Sequence, residues 1–288
     1  MRAEFRLAAV EYAQEYVDRG VDRIGLQVYP EPDAPDAPAV VIWPAMGVPA
    51  RYYRPFAAEL RSAGLAVFVA DLRGTGASSP RPSRSSRYGY AELVADVGAI
   101  QEALKPRLDG RPCLLLGHSL GGQACLLHVA LTGGADAAGL VLVATVLPYW
   151  RTYPGASSYA LLAYTQGIAT VAALRGVWPG WGFGGRQARG VIRDWAYSAR
   201  RGRYPSLAGT DPQPALAAMR NPVLAVSVDG DRYAPVPSLD HLCGMLAMAP
   251  VERVHYTTAE AGTPLDHFTW VRAGGPLARR VAEFAGRI

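Results

Sequence analysis

The stretch Cys113–Leu131, CLLLGHSLGGQACLLHVAL, decides how the chain is read. Its first five residues form a short continuous apolar run, as in a strand buried on both faces. An apolar helical pattern begins at Leu120. Between them stands Gly117-His118-Ser119-Leu120-Gly121, a serine fenced by glycines at a strand-to-helix turn. Gly-x-Ser-x-Gly is a weak signal as a spacing alone. At this position it describes a nucleophile elbow, a turn so tight that side chains at Gly117 and Gly121 would strike neighbouring backbone. The serine hydroxyl then stands clear at the sheet edge. The helix that follows favours negative charge at its start, and the Leu120 N–H is placed to meet a developing oxyanion.

Outward from this turn, strand and helix patterns alternate. Before it come a weakly alternating edge strand in Arg23–Tyr29, a β-branched run in Ala39–Trp43, a helix over 51–63 closed by Gly64, a strand in Leu65–Asp71 and an amphipathic helix over 90–104. After it comes Gly139–Val146, again a strand. Such alternation with short connections predicts a mostly parallel sheet with helices on both faces. The rhythm breaks over 147–214, where no strand pattern stands out. This segment holds four of the six tryptophans and two helical patterns, Tyr159–Leu174 and Ala188–Arg200, joined by the glycine-rich GVWPGWGFGG. Alternation then resumes with Pro222–Asp229, a helix over 238–248, Val251–Thr257 and a last helix over 276–286. The expected organisation is a core formed by 1–146 and 215–288, with 147–214 as a helical, aromatic-rich cap over a site at the sheet edge.

A serine hydroxyl needs a base. Of five histidines, His118 lies in the elbow, His128 and His241 on helices and His255 in a strand. His267 sits in a loop between the last strand and the last helix, where it can reach the serine from a neighbouring strand end. A carboxylate should orient that imidazole. Asp231, just past Pro222–Asp229, is favoured; Asp229 and Asp266 compete.

With Ser119, Asp231 and His267 in that chain order, the sequence resembles the α/β-hydrolase superfamily over essentially its whole length. PAMGVPARYYRPFA, DLRGTGAS, GHSLGGQ, PYW, DWAYSARRGRY, DGDRYAP and DHF are similar to a bacterial group of α/β-hydrolases known mainly as sequences. The resemblance implies that Asp231, four residues before Pro235, is the acid. It also implies a second oxyanion donor after Ala39–Trp43. Many relatives carry His-Gly there; this chain reads Trp43-Pro44-Ala45-Met46-Gly47, which assigns the donor to the Met46 N–H, with Val48 as the alternative.

The resulting expectation is a Ser-His-Asp hydrolase acting on an ester or thioester of a hydrophobic small molecule through an acyl-enzyme. Tyr149, Trp150, Trp178, Trp181 and Phe183 are expected to line an apolar pocket. A second reading takes the acyl group from coenzyme A or an acyl carrier protein, met by Arg186, Arg189, Arg193, Arg200, Arg201 and Arg203. A third keeps the scaffold as a ligand receptor without catalysis. Other classes find little support. Gly74-Thr75-Gly76 lacks the third glycine of a dinucleotide fingerprint, and no metal-ligand spacing occurs, so neither cofactor nor metal is expected. Net charge is only +5, with one lysine among 29 basic residues, which argues against a nucleic-acid partner. Three cysteines without CxxC spacing suggest neither disulfides nor zinc. Residues 1–20 show no signal-peptide core, and no apolar run of about 18 residues occurs, so no membrane span and a cytoplasmic location are expected.

Overall fold

The computed structural model describes residues 11–288. Part of the expectation about a signal peptide thus falls on residues outside the described ones. In chain order the elements are β1 (Ala13–Arg19), β2 (Asp22–Val28), β3 (Ala39–Trp43), α1 (Arg54–Ser62), β4 (Ala66–Ala70), α2 (Tyr90–Leu108), β5 (Cys113–His118), α3 (Leu120–Thr132) and β6 (Gly139–Val143). There follow α4 (Ala156–Arg175), β7 (Val177–Trp178), β8 (Gln187–Ala188), α5 (Arg189–Arg201), α6 (Gln213–Ala218), β9 (Val223–Val228), α7 (Val236–Cys243), β10 (Val251–Tyr256), α8 (Thr258–Ala261) and α9 (Gly275–Ala285).

Eight strands form one sheet in the order β1-β2-β4-β3-β5-β6-β9-β10. Only the β1–β2 and β2–β4 pairs are antiparallel. The strands β3, β4, β5, β6 and β9 are buried at every position, because helices cover both faces. Parallel crossovers are right-handed. The connection β3-α1-β4 steps one way across the sheet and β5-α3-β6 the other, which sends α1 and α3 to opposite faces. Accordingly α1 packs with α9, and α3 with α2 and α6. The sheet order reverses at β3 and β5, so the strand ends there diverge and open a crevice.

Two corrections to the sequence reading concern strands. The edge strand is β1, not Arg23–Tyr29, which lies one place inward between β1 and β4. The segment 147–214 contains the two-residue pair β7–β8, Val177 facing Ala188, which closes the glycine-rich linker into a hairpin-like loop. This insertion is held to the core at a definite point. Asp194 of α5 is nearly buried, and its Oδ2 accepts from the Tyr90 N–H at the start of α2 at 2.9 Å. Gly190 lets α5 approach the Tyr88 carbonyl there, where any Cβ would overlap it.

Candidate active site

The elbow has the tightness the glycines imply. Ser119 adopts φ +52°, ψ −117°, a strained conformation for a residue with a side chain. A Cβ on Gly117 would overlap the Gly122 backbone, and one on Gly121 the Trp43 carbonyl. The Ser119 N–H donates to the Val143 carbonyl of β6 at 3.2 Å, and its carbonyl accepts from the Gln123 N–H at 3.1 Å, which fixes the turn between β5 and α3. Ser119 Oγ holds no hydrogen bond among the described residues and faces a cavity of about 540 Å³.

His267 lines the same cavity. Its Nδ1 lies 2.7 Å from Asp231 Oδ2. A carboxylate only accepts, so Nδ1 carries a hydrogen, and in the neutral ring Nε2 keeps its lone pair. Asp231 is itself fixed: its Oδ1 accepts from the Tyr233 and Ala234 N–H groups at 2.8 and 2.9 Å. The carboxylate side chain is sealed from solvent. The two competing aspartates point elsewhere. Asp229 is 44% exposed and accepts from the Thr258 N–H; hydrogen bonding by Thr258, its side chain first and its N–H second, holds the Asp229 pKa below the usual carboxylate value. Asp266 caps the Phe268 and Thr269 N–H groups at 2.8 and 2.7 Å.

Met46 and Leu120 both line the cavity. The neighbouring N–H groups are taken: Ala45 donates to Tyr53 Oη at 2.9 Å, and Val48 to the Ala45 carbonyl at 3.0 Å. No hydrogen bond among the described residues engages the N–H of Met46 or of Leu120, which leaves these two able to serve an oxyanion. Tyr53 Oη also meets His118 Nδ1 at 2.7 Å, tying the loop after β3 to the elbow. His118 is fully buried, its ring centroid 4.8 Å from that of His267. Burial first, and the neighbouring His267 second, hold its pKa well below 6.5, so it stays neutral. His118 does not line the cavity; its ring packs behind that of His267.

Half of the twenty lining residues come from 147–214. Of the five aromatic residues expected in the pocket, Phe183 is there, stacked on Trp195 with centroids 5.0 Å apart. The other four are not among the lining residues, and each has another neighbour. Tyr149 packs on His241, and Trp150 on Tyr159. Trp178 is buried, its Nε1 donating to the Phe183 carbonyl at 2.9 Å. Trp181 is 57% exposed and rests on Trp178. The turn that points Phe183 inward therefore points Trp181 out. The wall is completed by Tyr153, Tyr164, Trp195, Tyr233 and Phe268, which sequence reasoning missed. Besides His267, the one lining group able to carry charge, among the described residues and apart from the tyrosines, is Arg232.

Two of the arginines considered for a carrier or coenzyme are paired internally, Arg193 with Asp194 and Arg203 with Asp211. The described residues contain no group of three His, Cys, Asp or Glu side chains able to hold a metal ion, and no helix long and apolar enough to cross a membrane.

The sheet order, the flanking helices and the elbow are those of an α/β-hydrolase. The chain belongs to the hydrolase family described as serine aminopeptidase, S33, whose model matches residues 34–203. That match includes Ser119 and most of the insertion and ends before Asp231 and His267. Among solved structures the chain is similar to the thioesterase domain from the curacin biosynthetic pathway, at 18% identity and TM-score 0.59, covering 95% of this chain and 99% of that one. It is also similar to Est1E from Butyrivibrio proteoclasticus with ferulic acid bound, at 13% identity and TM-score 0.65, covering 95% and 100%. A membrane phospholipase A, described as a bacterial virulence factor, matches at 16% identity and TM-score 0.62, covering 97% and 87%. At these identities the likeness is one of fold. No curated protein sequence matches the chain.

Proposed function

We propose that the protein is a serine hydrolase that cleaves a carboxylic ester or thioester with a hydrophobic acyl group, through an acyl-enzyme. The observation that carries this reading is the sealed Asp231–His267 pair opening onto the same cavity as the elbow serine. Ser119 Oγ attacks the acyl carbonyl while His267 Nε2 takes its proton. The Met46 and Leu120 N–H groups receive the oxyanion. His267 then protonates the leaving oxygen or sulfur as its bond to carbon breaks, and water repeats the sequence to release the acid. Asp231 holds the imidazole in the required tautomer throughout. The insertion 147–214 acts as a cap whose inner wall, Leu161, Tyr164, Phe183 and Trp195, accepts the apolar chain.

The family description raises peptide substrates with a free N-terminus. An α-ammonium group calls for a carboxylate partner, and none lines the cavity among the described residues. An apolar acyl group fits better. A series of p-nitrophenyl esters from acetyl to dodecanoyl tests the reading. The medium and long chains should give the highest kcat/KM, and Ser119→Ala should remove turnover of all of them while leaving the melting temperature within a few degrees. Preference for aminoacyl anilides over these esters would overturn it. A scaffold without catalysis would turn over none of them.

A further inference from the structure

A second cavity, about 350 Å³, adjoins the first and differs from it in chemistry. Three arginines line it, Arg51, Arg81 and Arg186, together with the backbone of Gly74–Gly76. Among the described residues none of the three pairs with a carboxylate. Two are braced by backbone carbonyls: Arg186 Nε donates to Pro82 at 2.7 Å and Arg81 Nη2 to Gly76 at 2.5 Å. Each guanidinium has five N–H donors, so most of the fork remains unused. The N–H groups of Gly74 and Gly76 also make no hydrogen bond among the described residues. The nearest carboxylate, Asp71, is buried beneath the loop, and its two oxygens accept from the Ala50 and Ala77 N–H groups at 2.6 and 2.8 Å. The cavity thus presents three guanidinium groups against one occupied carboxylate.

The partition between the cavities is a single layer of glycine backbone. Met46 and Gly184 line the first; their chain neighbours Gly47 and Gly185 line the second. Consecutive Cα atoms lie about 3.8 Å apart. Gly47, Gly184 and Gly185 all have positive φ, and a Cβ on Gly47 would overlap the Gly184 carbonyl. An apolar site and a basic site therefore meet at the loop after β3, where a Cβ on Gly47 has no room.

We propose that the second cavity binds a phosphate carried on the leaving group of the substrate, while the acyl chain occupies the first. This rests on the reading of Ser119 as nucleophile. Several guanidinium and backbone N–H donors around one groove, the three arginines exposed, suit a phosphate, whose charged oxygens can take more than one of them. The leaving alcohol or thiol departs with its phosphate when the Ser119 Oγ–C bond forms and the C–O or C–S bond breaks, and it receives the proton held by His267.

The phosphate has two chemical sources, a short phosphorylated alcohol or the coenzyme A arm. Two substrate pairs separate them: a 1-acyl-glycerol 3-phosphate with its 1-acyl-glycerol, and an acyl-coenzyme A with its acyl-N-acetylcysteamine. In wild type, at least one pair should favour the phosphate-bearing member. In Arg51→Gln/Arg81→Gln the ratio of kcat/KM within that pair should fall about tenfold or more, through KM, and lysine at both positions should restore most of it. A ratio unchanged by the double variant, or no phosphate preference in either pair, would overturn the proposal. Calorimetry of glycerol 3-phosphate and of coenzyme A with the Ser119→Ala protein reads the site without turnover. Binding of at least one, weakened about tenfold by the two glutamines, is expected even if another residue is the nucleophile. Equal affinity in both backgrounds, or no binding of either, counts against the site whatever becomes of Ser119.

Discussion

Replacing Asp231 by asparagine should disable the imidazole without disturbing the fold, and the size of the loss follows from the surrounding bonds. Asp231 Oδ1 accepts from two N–H groups, Tyr233 and Ala234. An asparagine should keep its carbonyl oxygen on that side, because turning its NH2 there would set donor against two donors and leave the N–H of buried Ala234 unpaired, at about 1–3 kcal/mol. Its NH2 then faces His267 Nδ1, which can only accept from it. The ring hydrogen is forced to Nε2, and Nε2 loses the lone pair that takes the serine proton. We expect kcat to fall about 10³–10⁴-fold, or roughly 4–5.5 kcal/mol of activation free energy, with KM little changed. Asp229→Asn should stay within about threefold, since that side chain is 44% exposed and an amide oxygen can still accept from Thr258. The assay is steady-state hydrolysis of p-nitrophenyl butyrate at pH 8, with melting temperatures to confirm folding. A larger loss in Asp229→Asn, or an Asp231→Asn enzyme within tenfold of wild type, would refute the reasoning.

Phe183→Ala should weaken use of long or aromatic acyl esters by about 1–3 kcal/mol in kcat/KM. Trp181→Ala, on the outside of the same loop, should have little effect, and equal losses would put the pocket wall in the wrong place. His118 gives a pH signature. Its folded pKa is depressed below 6.5 by burial, so the unfolded chain takes up a proton that the folded one does not. Stability should therefore fall as pH drops below about 6.5, by up to about 1.4 kcal/mol per unit from this group. A His118→Gln variant should melt with a flatter dependence between pH 7.5 and 5.5; parallel curves would contradict the assignment. Gly121→Ala should yield little folded protein, because its Cβ has no room beside the Trp43 carbonyl, and a soluble, active variant would contradict the packing of the elbow.

The sheet was readable because its strands are short apolar runs separated by helical patterns. The elbow was readable because glycine is required on both sides of the serine. β1 escaped because its residues are at most half-buried and carry Glu15, Asp18 and Arg19, so no apolar run marks it. The acid was ambiguous for a different reason. Asp229 and Asp231 share a strand end, and only the fold reveals that one carboxylate is sealed against His267 while the other faces solvent. Among the pocket aromatics, Tyr164 escaped through helix phase. Helix α4 has no charged residue before Arg175, so apolar periodicity does not tell its inner face from its outer one. In the glycine-rich loop no periodicity exists at all, and Trp181 and Phe183 can be assigned only from the turn itself. The basic cavity draws Arg51, Arg81 and Arg186 from three separate segments, which no local pattern brings together.

A fluorophosphonate probe reports whether Ser119 is an activated nucleophile. Intact-mass measurement of the wild-type protein should show one adduct, and peptide mapping should place it on the fragment containing Gly117–Gly122. Labelling should be slowed strongly in His267→Ala and abolished in Ser119→Ala. An unlabelled wild-type protein, an adduct on another residue, or labelling that survives Ser119→Ala would contradict the account.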